Sequence, residues 1–248
     1  MKRIEGIIEK FFLLASLVSF SIVLLVFGFM VTLGLPLFKG GRFFDLFTQT
    51  FQPDHGLYGI YPMILGTLFI AGLGVLFAFP LSLGCSAFIS VTGPGRLSSP
   101  LKKVVRLMIG IPTVIYGFVG IFFLVPIIRE LFEKGSGLCI LSAGILLALM
   151  ISPTMILFFT DSFDRTHQAY LDAADALGAT PVQKLLYIIL PQSTQGIASG
   201  LILSMGRAVG DTLISLMVAG NAVAIPGSLL DPARTLTAHI ALVIAADF

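Results

Sequence analysis

The fold class this sequence predicts is an all-α integral membrane protein, and two observations predict it. Hydrophobic residues make up 56% and charged residues 11% of the 248 residues, for a mean hydropathy of +1.02, whereas a soluble domain carries about 25% charged residues. The apolar residues also fall in continuous runs of roughly 20, the length that crosses a bilayer as a helix. The net charge of +2 is too small to indicate nucleic acid.

The first run, residues 11–35, follows Lys2, Arg3 and Lys10. A secretory leader has an apolar core of about 7–15 residues and a small-x-small end. This run is longer and ends in LGLPLF, so it is expected to be the first membrane helix, with residues 1–10 as a cytoplasmic segment. Residues 39–55 contain FFDLFTQTF, an amphipathic stretch expected to lie along the membrane surface or cover the outer mouth.

Four further spans are expected at 62–90, 105–128, 138–160 and 196–224. A last run, 236–248, is too short to cross, so about six helices are expected, with the sequence stopping inside the sixth. Residues 11–248 thus read as one transmembrane domain. Pro80, Pro112, Pro126 and Pro153 lie within spans, where they kink helices and free carbonyls. Gly66, Gly72, Gly74, Gly110, Gly117 and Gly120 let helices approach closely in lipid.

Basic residues orient the chain. The N-terminus, the loop at 92–106 and the loop at 161–195 together carry nine (Lys2, Arg3, Lys10, Arg96, Lys102, Lys103, Arg106, Arg165 and Lys184). The opposite loops carry five (Lys39, Arg42, Arg129, Lys134 and Arg234), so the first set is expected in the cytoplasm.

The cytoplasmic stretch 161–195 reads as a compact elbow. Residues 170–177 favour a helix, and Gly178 can take the positive φ that ends one. Thr180 can cap a second helix, Pro181 suits its first position, and Gln183 completes a capping box. That helix is expected to run to about Ile189 and to be ended by Pro191.

Projected as one helix, residues 196–224 place Gly200, Ser204, Arg207, Ala208, Asp211 and Ser215 on one stripe. Ile202, Met205, Val209, Leu213 and Leu216 lie opposite. Arg207 and Asp211 stand four apart, so they are expected to pair along the helix. Charges at membrane depth line a pathway or interior. A half-neutralised arginine attracts an anion and still releases it; the other reading is a structural pair that fixes helix packing. Gly206 and Gly210 read as a packing seam.

The elbow carries Asp172-Ala173-Ala174, three residues, Gly178, nine residues, Ile188, one residue, then Leu190-Pro191. It resembles the cytoplasmic loop of ATP-binding-cassette (ABC) importer permeases, with Asp172 where that family has glutamate. The resemblance implies a type I ABC importer transmembrane domain whose loop docks on a separate ATPase. Residues 110–120, GIPTVIYGFVG, and 206–212, GRAVGDT, resemble permeases of phosphate-specific importers, the C-type more than the A-type. So do YGI and GTL between 58 and 68, FPLSLG at 79–84 and TLTAH at 235–239.

That resemblance implies a non-catalytic subunit forming the membrane pathway for inorganic phosphate, with Arg207, Asp211, Thr212 and Ser204 along it. It also implies a homologous second permease, two ATP-binding subunits that hold ATP and Mg, an extracytoplasmic phosphate-binding protein, and a bacterial or archaeal cytoplasmic membrane. No cofactor of this chain's own is expected. Related readings are a permease for molybdate, tungstate or sulfate, or an ion-driven secondary transporter, although no internal repeat is evident. A membrane enzyme needs a nucleophile and base at one depth, and only Arg207 and Asp211 are charged there. No GxxxxGK[ST] or HExxH occurs. His55, His167 and His239 read as solvated or packing residues, and Cys85 and Cys139 as small buried hydrophobes.

Overall fold

In a bilayer each backbone N–H and C=O needs a partner within its own segment, so apolar runs of this length become helices. The computed structural model describes residues 2–38, 43–55 and 57–246. It divides into two units, 1–59 and 60–248.

The first unit contains α1 (Lys2–Phe38), a single helix whose apolar part is Ile8–Pro36. After it come α2 (Phe43–Thr48) and a short antiparallel hairpin of β1 (Phe51–Gln52) and β2 (Leu57–Tyr58). The Phe51 and Tyr58 rings meet edge-on across the hairpin, 6.3 Å apart. Only part of the amphipathic stretch 39–55 is therefore helical. Lys39 and Arg42 lie outside the described residues, as does Gly56.

The second unit begins with α3 (Tyr61–Ala87), which a π-helical turn extends to Thr92. Then follow α4 (Gly95–Ile109) and α5 (Thr113–Val119), and a second π turn (Gly120–Leu124) leads into α6 (Val125–Phe132). Helix α7 (Ile140–Asp164) is the axis of the unit: 78% of its apolar 18-residue stretch is buried, against 33% for that of Tyr61–Thr92 and 22% for that of Thr113–Phe132. Leu147, Ile151, Met155 and Phe159 of α7 are fully enclosed. Helix α3 packs along it, and Ser82 and Ser86 donate to the Ser152 and Ile156 carbonyls at 3.3 and 3.1 Å. A Cβ on Gly144 would stand 2.7 Å from Leu73 Cδ2, so the glycine eases this close approach.

Among the described residues four helical segments are long and apolar enough to cross: Ile8–Pro36, Tyr61–Thr92, Thr113–Phe132 and Ile140–Asp164. Two expected spans change. The third starts at Thr113 rather than 105, because Gly110 caps α4 and Pro112 disfavours helix at Ile111. The fifth does not run unbroken from 196 to 224. Helix α11 (Thr194–Gly210) stops after 17 residues, about 25 Å. After a break comes α12 (Leu213–Val218), then an irregular return to α13 (Leu236–Ala246).

That return is locked to the bundle. Leu236 N–H donates to Thr67 Oγ1 at 3.0 Å, and a Cβ on Gly66 would lie 2.4 Å from the Arg234 carbonyl oxygen. A backbone atom cannot rotate away as a side-chain tip can. Gly66→Ala is thus expected to cost about 2 kcal/mol and lower the thermal midpoint in detergent by about 5 °C. Gly72→Ala, with nothing within 4 Å, should leave it unchanged.

Candidate functional site

The elbow between α7 and α11 is built from local hydrogen bonds. Helix α8 (Gln168–Ala176) is entered through His167, whose Nδ1 accepts from the Ala169 amide at 3.3 Å. At its end Gly178 N–H donates to the Asp175 carbonyl at 2.9 Å and Ala179 N–H to the Ala174 carbonyl at 3.0 Å. This double closure needs a left-handed residue, and Gly178 supplies it at φ +75°. Nothing lies within 4 Å of where its Cβ would be, so the backbone angle, not space, requires glycine.

Helix α9 (Pro181–Lys184) starts with the expected reciprocal box. Thr180 N–H donates to Gln183 Oε1 at 2.8 Å, and Gln183 N–H donates to Thr180 Oγ1 at 3.3 Å. Lys184 reaches back to Asp175 at 2.6 Å. An exposed pair is worth under about 1 kcal/mol, so the backbone closures contribute more of the stiffness than this bridge.

Pro191 does not end the second helix. The chain stays helical through a π turn (Leu185–Ile189) into α10 (Leu190–Gln192). The widened turn bonds Leu190 N–H to the Leu185 carbonyl and accommodates a proline ring that would clash with an α-helical i−4 carbonyl. At Ser193 the path bends by 70° into α11.

The motif residues divide by environment. Asp172, Ala173, Gly178 and Pro191 are exposed, Ala174 is buried, and Ile188 and Leu190 are half-buried against the body. Asp172 accepts from Gln168 Nε2 at 2.9 Å, one turn earlier. Sequence reasoning missed Leu177, which stands 89% exposed at the tip, and Tyr187, 77% exposed. A leucine directly before the turn glycine was the available signal.

The second cluster lies where α11 breaks. The face of α11 against α7 is Gly196, Gly200, Ser204 and Ala208; a Cβ on Gly200 would meet Phe158 and Phe159, at 2.8 and 3.0 Å. Gly206 and Gly210, expected to be the packing seam, meet nothing within 4 Å. Ser204 is fully buried in the true seam, and its hydroxyl has no partner among the described residues. The structure thus separates it from the other three predicted pathway residues.

Arg207, one residue from the seam, reaches across to α7. Its Nη1 donates to Thr154 Oγ1 at 2.8 Å, and its Nη2 lies 3.4 Å from Met150 Sδ. Asp211 is not its partner. The carboxylate turns to the restarted chain, where Oδ2 accepts from Ile214 N–H at 3.0 Å and Ser215 N–H at 3.3 Å. The ion pairs among the described residues are Lys102–Asp164 and Lys184–Asp175. Aspartate's short side chain competes for nearby amides and favours caps over helix interiors, which is why the helix breaks here. Thr237 Oγ1 donates to the Asp211 carbonyl at 2.7 Å and fixes the break to α13.

Arg207, Asp211 and Thr212 line one cleft of about 400 Å³ with Thr113, Met150 and Gly210. Two separate stretches, GIPTVIYG and GRAVGDT, therefore meet at one place. Thr113 is the addition that sequence reasoning did not assign. The cleft offers a guanidinium and two threonines as donors to an oxyanion, with the Asp211 carboxylate beside them.

Residues 78–246 match the family described as "Binding-protein-dependent transport system inner membrane component". The chain is 34% identical over 185 residues to the "Probable ABC transporter permease protein YqgH" of Bacillus subtilis, covering 75% of this chain and 60% of that protein. It is 33% identical over 249 residues to the "Probable phosphate transport system permease protein PstC" of Methanocaldococcus jannaschii, covering 92% and 78%. It therefore spans about three-fifths of the first relative's length and most of the second's. Among solved structures, an inward-facing MetNI methionine ABC transporter shares the fold with a TM-score of 0.51 at 21% identity, over 61% of this chain and 69% of the other. The fold is that of a type I ABC importer transmembrane domain, and the chain belongs to the family of binding-protein-dependent transport system inner membrane components.

Proposed function

We propose that this chain is the permease subunit of an ATP-driven phosphate importer, of the C type, lying in a bacterial or archaeal cytoplasmic membrane with its N-terminus inside. Residues 11–248 form the transmembrane domain, and 161–195 form the coupling elbow. A homologous second permease completes the pathway, two ATP-binding subunits hold ATP and Mg, and an extracytoplasmic phosphate-binding protein delivers the solute. The observation that carries this reading is the elbow. A double helix closure at Gly178 and a capping box at Thr180 make it stiff, and it presents a bare Leu177, with Asp172 and Ala173 also exposed. A stiff projection transmits displacement, and an exposed leucine at its tip fits a groove on another protein. The cleft at Arg207, Asp211 and Thr212 fits an anionic solute, and the phosphate permease name of the Methanocaldococcus jannaschii relative supports phosphate.

Reconstitution with the ATPase and binding protein is expected to give ATP-dependent phosphate uptake at least about tenfold faster than sulfate uptake, the discrimination that about 1.4 kcal/mol supplies. Uptake driven by an ion gradient without the ATPase would overturn the reading, and equal sulfate rates would overturn the solute.

A further inference from the structure

Helix α4 does not cross the membrane, and its surface divides into three sectors. Val105 packs with Ile89 and Ile156 in a small apolar cluster. Next around the helix come Ser99, Lys102, Lys103 and Arg106. The remaining sector carries Leu97, Leu101, Val104 and Leu107, all exposed, Leu107 by 74%. Between α4 and the π turn that ends α3 lies an open cleft of about 350 Å³, lined by Ile89, Ser98, Ser99, Lys102, Lys103 and Arg106. Lys102 is taken up by Asp164, 2.6 Å away at the end of α7. Among the described residues Lys103 and Arg106 have no ion pair.

The place matters as much as the charges. The cleft stands where the span Tyr61–Thr92 ends and beside the last residue of Ile140–Asp164, at the level where two membrane helices leave the hydrocarbon. A helix with an apolar sector next to a basic one is built to lie in that boundary, its leucines among acyl chains and its cations among headgroups.

We propose that this cleft binds the headgroup of an anionic phospholipid, with the phosphodiester between Lys103, Arg106 and Ser99 and the acyl chains passing Leu107 and Val104, the apolar residues nearest Lys103 around the helix. A free phosphate would satisfy the cations but make no use of the leucine sector beside them. Each basic residue near an anionic surface strengthens binding about fivefold, so two unpaired cations give about twenty-five-fold. This site is separate from the transport cleft and does not rest on the transport reading.

The test is native mass spectrometry of the full chain in mild detergent, titrated with phosphatidylglycerol or phosphatidylcholine. One phosphatidylglycerol is expected to be retained in preference to phosphatidylcholine. Lys103→Gln together with Arg106→Gln should weaken that binding about twenty-five-fold. Val104→Ser with Leu107→Ser, which leaves every charge in place, should weaken it too. Equal retention of phosphatidylcholine, or unchanged affinity in the charge variant, would overturn the site. Displacement of the lipid by millimolar inorganic phosphate would show a free-anion site and overturn the lipid assignment.

Discussion

Arg207→Gln is expected to lower ATP-driven phosphate uptake about a hundredfold while the subunit still inserts and assembles. The guanidinium is bonded to a hydroxyl and a thioether, and Asp211 in the same cleft accepts its hydrogen bonds from backbone amides, so the guanidinium charge is only partly offset. Opposite charges 4 Å apart interact by about 4 kcal/mol at an effective dielectric near 20. Losing about 2.8 kcal/mol of that attraction corresponds to a hundredfold. Glutamine retains a donor for Thr154, so the fold should not suffer. Arg207→Lys keeps the charge but lacks the planar fork, and should fall between, near tenfold. Transport assays on the assembled complex, with co-purification of the ATPase as the assembly control, read all three. Uptake within twofold of the parent in Arg207→Gln would remove this residue from the pathway.

Gly178→Val is expected to uncouple the complex, leaving basal ATP hydrolysis but no stimulation by the loaded binding protein. Valine at φ +75° costs on the order of 1–3 kcal/mol and has no conformational escape. The two closing hydrogen bonds from Gly178 and Ala179 would be lost together, and the angle between α8 and α9 with them. Because the space around the position is empty, the effect is purely one of backbone angle. Gly178→Asn should therefore retain most of the stimulation, since asparagine tolerates the left-handed region. If valine and asparagine behave alike, the turn is not what transmits the motor's work.

Features set by local chemistry could be read directly. The capping box needs only Thr180, Pro181 and Gln183 in sequence, and Gly178 announces its own turn. The long apolar runs gave the spans because nothing else satisfies a backbone in lipid. What escaped was set by competition between neighbours. Asp211 looked like Arg207's helical partner at a spacing of four, and that geometry holds only while the helix continues. Two amides of the restarting chain took the carboxylate instead. Gly206 and Gly210 had the spacing of a seam, but Gly196, Gly200, Ser204 and Ala208 have it as well, and only the phenylalanines of α7 decided between them. Thr113 joined the cleft through a tertiary contact between segments about a hundred residues apart, which no pattern within either segment records.

The 70° corner at Ser193 is a single residue between two helices, with no slack on either side. Its amide is bonded to the Ile189 and Leu190 carbonyls, and Ile197 N–H is bonded to its carbonyl. Under the proposed coupling, such a joint would work as a bell crank: a sideways push on the short arm at the elbow would swing the long arm, which is α11. At the far end of that arm sit Arg207 and the break, about 20 Å from the pivot by helical rise. A rotation of ten degrees at the joint would sweep the guanidinium through about 3 to 4 Å on that lever arm, enough to exchange one set of hydrogen-bond partners for another.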